Sequence, residues 1–180
     1  MKKLPLIFFA ITAFAVSSCK DTTKQTEPEV VTVENTETKT YEIAKTEAEF
    51  NDPKIEEIFD QYLLIEVGLV NTDASKTAIA ASKLQETLKE MNADEATQNA
   101  VSAIAGSDDI KVQRENFEAL SNGLENILKG ALKSGTLYKQ FCPMAFNNKG
   151  AYWISSSEDI LNPYFGDKML KCGRVDSKVK

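Results

Sequence analysis

The sequence predicts a mainly α-helical fold, an up-down bundle of three to four helices with a small C-terminal β-hairpin and irregular cap. Three observations predict it. Apolar residues recur at steps of three and four between residues 51 and 135. Those runs open on aspartates suited to cap a helix. After Gly135 the pattern changes to short β-branched and aromatic runs separated by turn residues.

In chain order, residues 1–18 read as a lipoprotein signal peptide. Lys2 and Lys3 form a positive start, and an apolar run from Leu4 to Val16 follows. The run is too short for a comfortable membrane span and ends in small residues. Val16-Ser17-Ser18-Cys19 has the lipobox pattern of one aliphatic residue, two small ones and a cysteine. Cys19 is therefore the expected lipidation site, and several acyl chains on one residue give stable attachment to a membrane. Lys20-Asp21 is not the usual inner-membrane retention signal, so the expected location is the outer membrane, facing the periplasm or the cell surface. Residues 19–50 carry this cysteine and are otherwise rich in Thr, Glu, Lys and Val, with few aromatics, which predicts a disordered tether. Val30-Val31-Thr32-Val33 is a strand candidate only if something pairs with it.

The bundle is assigned to residues 51–135. Asp52 suits an N-cap and Pro53 the first helical position, where its missing N–H costs nothing. Ile55, Ile58, Phe59, Tyr62, Leu63, Leu69 and Val70 form the first stripe. Asp73 opens a second helix with Ala78, Ala81, Leu84, Leu88 and Met91, and Asp94 a shorter third with Ala96, Ala100, Val101 and Ile104. Gly106-Ser107-Asp108 breaks and recaps the chain. Ile110, Phe117, Leu120, Leu124, Ile127, Leu128 and Ala131 mark the longest helix, ended by Ser134-Gly135. Such stripes bury against each other when short loops join the helices. Arg114 is placed either against a carboxylate of the bundle or on its surface.

The cap takes residues 136–180 and packs with the bundle as one domain. Residues 136–141 predict one strand and 151–154 a second, joined through the turn signal Asn147-Asn148-Lys149-Gly150. Ser155 with Glu158 predicts a capping box on a short helical turn ended by Asn162-Pro163. Residues 164–174 read as irregular.

Composition narrows the function. The formal charge is −6, and −8 without Lys2 and Lys3, which argues against binding nucleic acid. Histidine is absent altogether. That removes Ser-His-Asp triads, histidine bases and imidazole zinc sites, and no base remains to activate a thiol, so no catalytic residue is assigned. With Cys19 lipidated, Cys142 and Cys172 remain. In an oxidising envelope the pair reads either as a disulfide, closing a loop worth about 3 kcal/mol, or as part of a metal site. Cys142-Pro143-Met144 and Met169-Leu170-Lys171-Cys172 set two thiols and two thioethers in one segment, and soft sulfur ligands select Cu(I) and similar ions. The candidate metal ligands are thus Cys142, Met144, Met169 and Cys172, with Trp153 and Phe165 as candidate shields. In the disulfide reading the methionines are core filler.

Tyr138, Phe141-Cys142-Pro143-Met144-Ala145-Phe146, Gly150-Ala151, Trp153, Asn162-Pro163-Tyr164-Phe165-Gly166-Asp167, Met169-Leu170 and Cys172-Gly173 together form a distinctive pattern. It resembles an uncharacterised domain family of Gram-negative envelope proteins, and the upstream Gln113-Arg114, Phe117 and Leu120-Ser121 fit as well. The resemblance runs from about residue 51 to 175. Members of that family occur as lipoproteins, and a similar segment is fused to periplasmic adaptor subunits of copper and silver efflux systems. The resemblance therefore implies soft-metal handling, with an efflux adaptor or another envelope protein as partner. All four sulfur residues stand at matching positions. Relatives also carry histidines in the helical part; this chain has none, which leaves sulfur alone. The competing expectation is a non-catalytic interaction module stapled by a Cys142–Cys172 disulfide.

Overall fold

A computed structural model describes residues 39–180. The leader, Cys19 and the Val30–Val33 run lie outside the described residues. Four helices follow one another: α1 (Pro53–Val70), α2 (Ala74–Glu90), α3 (Glu95–Ala105) and α4 (Ile110–Leu128). Each packs on the next, and α1 also meets α4, as an up-down bundle requires. Aspartate caps all four. The side chains of Asp52, Asp73, Asp94 and Asp109 accept from the backbone N–H of Lys54, Lys76, Thr97 and Lys111, each satisfying a donor the helix leaves open. The last cap falls at Asp109, one residue beyond the expected Asp108. Among the described residues no helix is long and apolar enough to cross a membrane.

The described residues form five short strands: β1 (Glu49–Phe50), β2 (Leu132–Ser134), β3 (Leu137–Cys142), β4 (Ala151–Ser155) and β5 (Arg174–Val179). β1 pairs antiparallel with β2; the second sheet has the order β4-β3-β5, antiparallel throughout. One hydrophobic core joins bundle and cap, with Phe59, Tyr62 and Phe117 of the helices in the same cluster as Trp153, Ile154 and Tyr164. Tyr62 stacks on Phe117 at 5.0 Å, and Trp153 meets Tyr164 edge-on at 5.9 Å.

Several expectations need correction. The tether assigned to residues 19–50 ends sooner. Ala48 and Phe50 are buried, and Tyr41 exchanges hydrogen bonds with the Asn71 side chain at the end of α1. Its apolar residues are too few to predict burial; they are buried because β2 supplies a partner for β1. The long helix stops at Leu128 instead of Ser134. Gly130 adopts a left-handed φ of +69°, and the following residues turn back to lay Leu132 opposite Phe50. On α3 the buried face holds Thr97 while Ala96 is exposed, and on α2 it holds Ala80. The expected helical turn after Ser155 is a bend, and the irregular tail runs into a strand that no expectation covered, β5, from Arg174 onward. The hairpin is thus a three-stranded sheet.

Candidate functional site

Cys142 closes β3. Side chains alternate along a strand, so Gln140 and Cys142 share its inner face, and both are fully buried. Cys172 lies just before β5, half-buried, in a turn closed by its own N–H donating to the Met169 carbonyl at 2.9 Å. Antiparallel pairing of β3 with β5 brings the two sulfurs to 3.6 Å of each other, as free thiols. Burial, and secondarily the Cys142 sulfur beside it, holds the Cys172 thiol above the usual range.

Asn162, which the sequence offered only as a helix stop, positions this loop. It is fully buried. Its amide donates to the Cys172 carbonyl at 2.7 Å, its side-chain oxygen accepts from the Tyr164 N–H at 2.8 Å, and its own N–H donates to the Leu170 carbonyl. Arg114 extends the hold to the bundle. Its Nε donates to the Pro163 carbonyl at 2.8 Å, and its Nη2 to the Leu69 carbonyl at 2.9 Å and to Thr72 Oγ1. The guanidinium therefore serves carbonyls at the C-terminal end of α1, where a cation is favoured, in place of the bundle carboxylate or open surface expected for it. An asparagine before proline followed by aromatics was the available signal for Asn162; nothing local marks Arg114.

The two methionines sit elsewhere. Met144 and Met169 both line a cleft of about 1050 Å³, together with Arg114 and Glu118 of α4, Phe146 and Phe165; neither cysteine lines it. Met144 is 45% exposed. The cleft wall after β3 is a left-handed turn, with φ of 51°, 58° and 65° at Phe146, Asn147 and Asn148. Phe146 pays about 1–2 kcal/mol for that conformation, whereas asparagine, with its short polar side chain, visits it readily. The turn closes with Gly150 N–H donating to the Ala145 carbonyl at 3.0 Å. A larger residue at Gly150 would be strained at its φ of +80° and would have to displace the Phe141 ring, whose Cζ lies 2.3 Å from where its Cβ would stand. Among the described residues Glu118 has no hydrogen-bond or ion-pair partner, and burial raises its pKa.

Of the two expected shields, Trp153 is fully buried and abuts the thiol loop: a Cβ at Gly173 would stand 3.0 Å from its Cη2. Phe165 faces the cleft instead. The sulfur set thus divides into a thiol pair inside and two thioethers on the cleft. Among the described residues no three Cys, Asp or Glu side chains form a group able to hold a metal ion. Zinc, which seeks four N, S or O ligands, is poorly served by two thiols. A soft ion content with two sulfurs fits them better.

A model of the family described as "Protein of unknown function (DUF3347)" matches residues 58–135. The helical bundle is therefore similar to a domain family of unknown function, and the match stops before the sulfur-bearing cap. No curated protein and no solved structure matches the chain.

Proposed function

We propose that this chain is a lipid-anchored envelope protein that binds a soft monovalent metal ion, Cu(I) foremost, between the thiolates of Cys142 and Cys172. The observation that carries the reading is the pair of free thiols 3.6 Å apart. Two thiolates bound to one ion at about 2.3 Å stand about 3.8 Å apart in tetrahedral geometry and about 4.6 Å apart in a line. The pair needs to open by about 1 Å at most to admit an ion. Closing to a disulfide of about 2.05 Å needs a movement of about 1.5 Å in the other direction. Cys142 is fixed in β3, so the half-buried Cys172 loop supplies either movement. Anchoring through Cys19 and delivery to an efflux adaptor or another envelope protein complete the proposal, with no catalytic step.

The same spacing supports a second reading, in which the disulfide forms and the cap is a stapled interaction surface. One experiment separates them. The chain carrying Cys19→Ser is purified from an oxidising compartment, its free thiols are counted, and Cu(I) is titrated anaerobically against a competing chelator. The metal reading expects two free thiols, or two after mild reduction, and loss of tight binding in Cys142→Ser/Cys172→Ser. Equal Cu(I) affinity in that variant rejects it. A disulfide that resists mild reduction favours the staple.

A further inference from the structure

We infer that the cleft between α4 and the left-handed turn is a second soft-cation site, in which the thioethers of Met144 and Met169 capture the ion that the thiol pair then holds. The inference rests on the proposed soft-metal function and adds a place where the ion first meets the protein. Four observations carry it.

First, each thioether is tied to one thiol by a short, ordered link. Met144 follows Cys142 after a single proline, and Met169 is joined to Cys172 by the 2.9 Å turn hydrogen bond. The two arms present thioethers to one cleft, while the thiols meet each other outside its lining. Second, Met144 is one of three large apolar side chains left exposed among the described residues, and the other two, Leu64 and Ile79, lie on the helices away from this cleft. Third, the turn that follows Met144 is held in a left-handed conformation at three consecutive non-glycine residues. Strain of this kind persists where surroundings over-determine it and is commonest at ligand sites. Fourth, the cleft's charges are mixed: Glu118 has no ion-pair partner among the described residues, Lys111 has Glu115 at 3.9 Å, Arg114 is engaged with the Pro163 and Leu69 carbonyls, and Lys149 lines the same cleft. Phe146 and Phe165 add ring faces that attract cations.

The chemistry orders the two sites. A thioether is neutral and binds a soft ion without losing a proton. A thiol must lose one. Transfer from cleft to thiol pair exchanges two metal–thioether bonds for two metal–thiolate bonds and releases two protons, with no change of oxidation state.

Silver(I), which does not change oxidation state in air or buffer, is the probe. It is titrated into the full chain carrying Cys19→Ser, with stoichiometry read by native mass spectrometry and the methionine methyl signals followed by NMR. Two Ag(I) per chain are expected. Cys142→Ser/Cys172→Ser should keep one, bound more weakly, with the Met144 and Met169 methyls shifting and Met91 unmoved. Adding Met144→Leu/Met169→Leu to that background should lower the remaining affinity about tenfold or more. Leucine conserves volume, so folding is retained, and circular dichroism checks it. If the cysteine-free variant binds no Ag(I), or binds it without moving those methyls, the cleft site is rejected. The thiol reading still stands if Met144→Leu/Met169→Leu alone keeps one tight ion. If instead the cysteine-free variant binds as tightly as the parent, the thiol reading fails and the cleft stands.

Discussion

The bundle and the cap hold together by different means. The bundle is made of local elements: four aspartate-capped helices whose buried faces are mainly apolar and also carry Glu66, Thr77, Thr87, Thr97, Gln113 and Ser121. The cap has little local structure of its own. Its strand β5 pairs with β3 across a long sequence separation, and its loops are held by the buried Asn162 and Gln140 and, from α4, by the half-buried Arg114. The comparison teaches that the cap cannot be a detachable appendage. Tyr62 of α1 shows why: its hydroxyl meets Ser121 of α4 at 2.7 Å and accepts from the Ile154 N–H of β4 at 3.2 Å.

The largest test breaks the cap's contribution to the shared core. Trp153→Ala should cost about 3–5 kcal/mol, against about 2–5 kcal/mol for Leu84→Ala in the bundle. Both side chains are fully buried. In urea melts followed by circular dichroism, Trp153→Ala should lower the midpoint of a single helical transition. A bundle that keeps its wild-type midpoint would show that cap and helices are separate units.

Asn162→Ala comes next. It removes the partners of the Cys172 carbonyl and the Tyr164 N–H while leaving every helix intact. A buried group left unpaired costs about 1–3 kcal/mol, so a loss of about 2–3 kcal/mol is expected. The thiol pair should also lose its alignment, and the variant's Cu(I) affinity should fall by more than that of Leu84→Ala under the same folded conditions. Equal affinity in the two variants would leave Asn162 only a structural role.

These regions also differ in how far the sequence disclosed them. Asp52, Asp73 and Asp94 announce their helices because a cap is a local contract between an aspartate and an N–H two or three residues on. Strand β3 and the turn at Asn147 and Asn148 were legible for the same reason. Strand β5 was not, because its residues are polar and its only justification is β3, far away in the chain. Likewise β1 waits for β2, and Phe50 looked like tether until its partner was known. At the site, the four sulfurs were visible as a cluster in sequence, but not their division. That depends on where β3 ends: Cys142 is its last, inward-facing residue, and Met144, two residues on, is already exposed on the cleft. Arg114 is the hardest case, since its partners are three backbone or hydroxyl oxygens from distant segments.

Between bundle and cap lies one costly group. Glu66 of α1 is fully buried, and neither carboxyl oxygen has a hydrogen-bond partner. Burial holds it well above the usual carboxylate range, while the Trp153 indole N–H pulls the other way without forming a hydrogen bond of normal geometry. The unfolded chain releases this proton near pH 4.5 and the folded chain keeps it to higher pH. Stability from this group is therefore full below that value and declines as pH rises, by at most about 1.4 kcal/mol per pH unit. Glu66→Gln should flatten the decline, matching wild type near pH 4 and exceeding it at pH 8 in paired urea melts. Parallel curves for the two proteins would mean Glu66 is ionised in the fold.

The smallest effect expected is at the rim of the same seam. Lys139 of β3 pairs with Glu125 of α4 at 2.7 Å, and its ammonium lies 4.5 Å from the centre of the Tyr152 ring. Both side chains are largely covered, at 19% and 28% exposure, which lifts the pair above an ordinary surface bridge. Exposed pairs contribute about 0.2–1 kcal/mol, and a cation over a ring about 0.5–1 kcal/mol. A double-mutant cycle of Lys139→Met and Glu125→Gln isolates the first from the second, because the ring contact is lost equally in the presence or absence of Glu125. A coupling energy near the upper end of the surface range, about 1 kcal/mol, is expected at low salt, decreasing as salt is raised. A coupling near zero would mean that packing alone docks the sheet on α4. The two regions would then be tied by the core around Tyr62, Phe117 and Trp153 and by the Arg114 bond to the Pro163 carbonyl, with no ion pair contributing at the Lys139 edge.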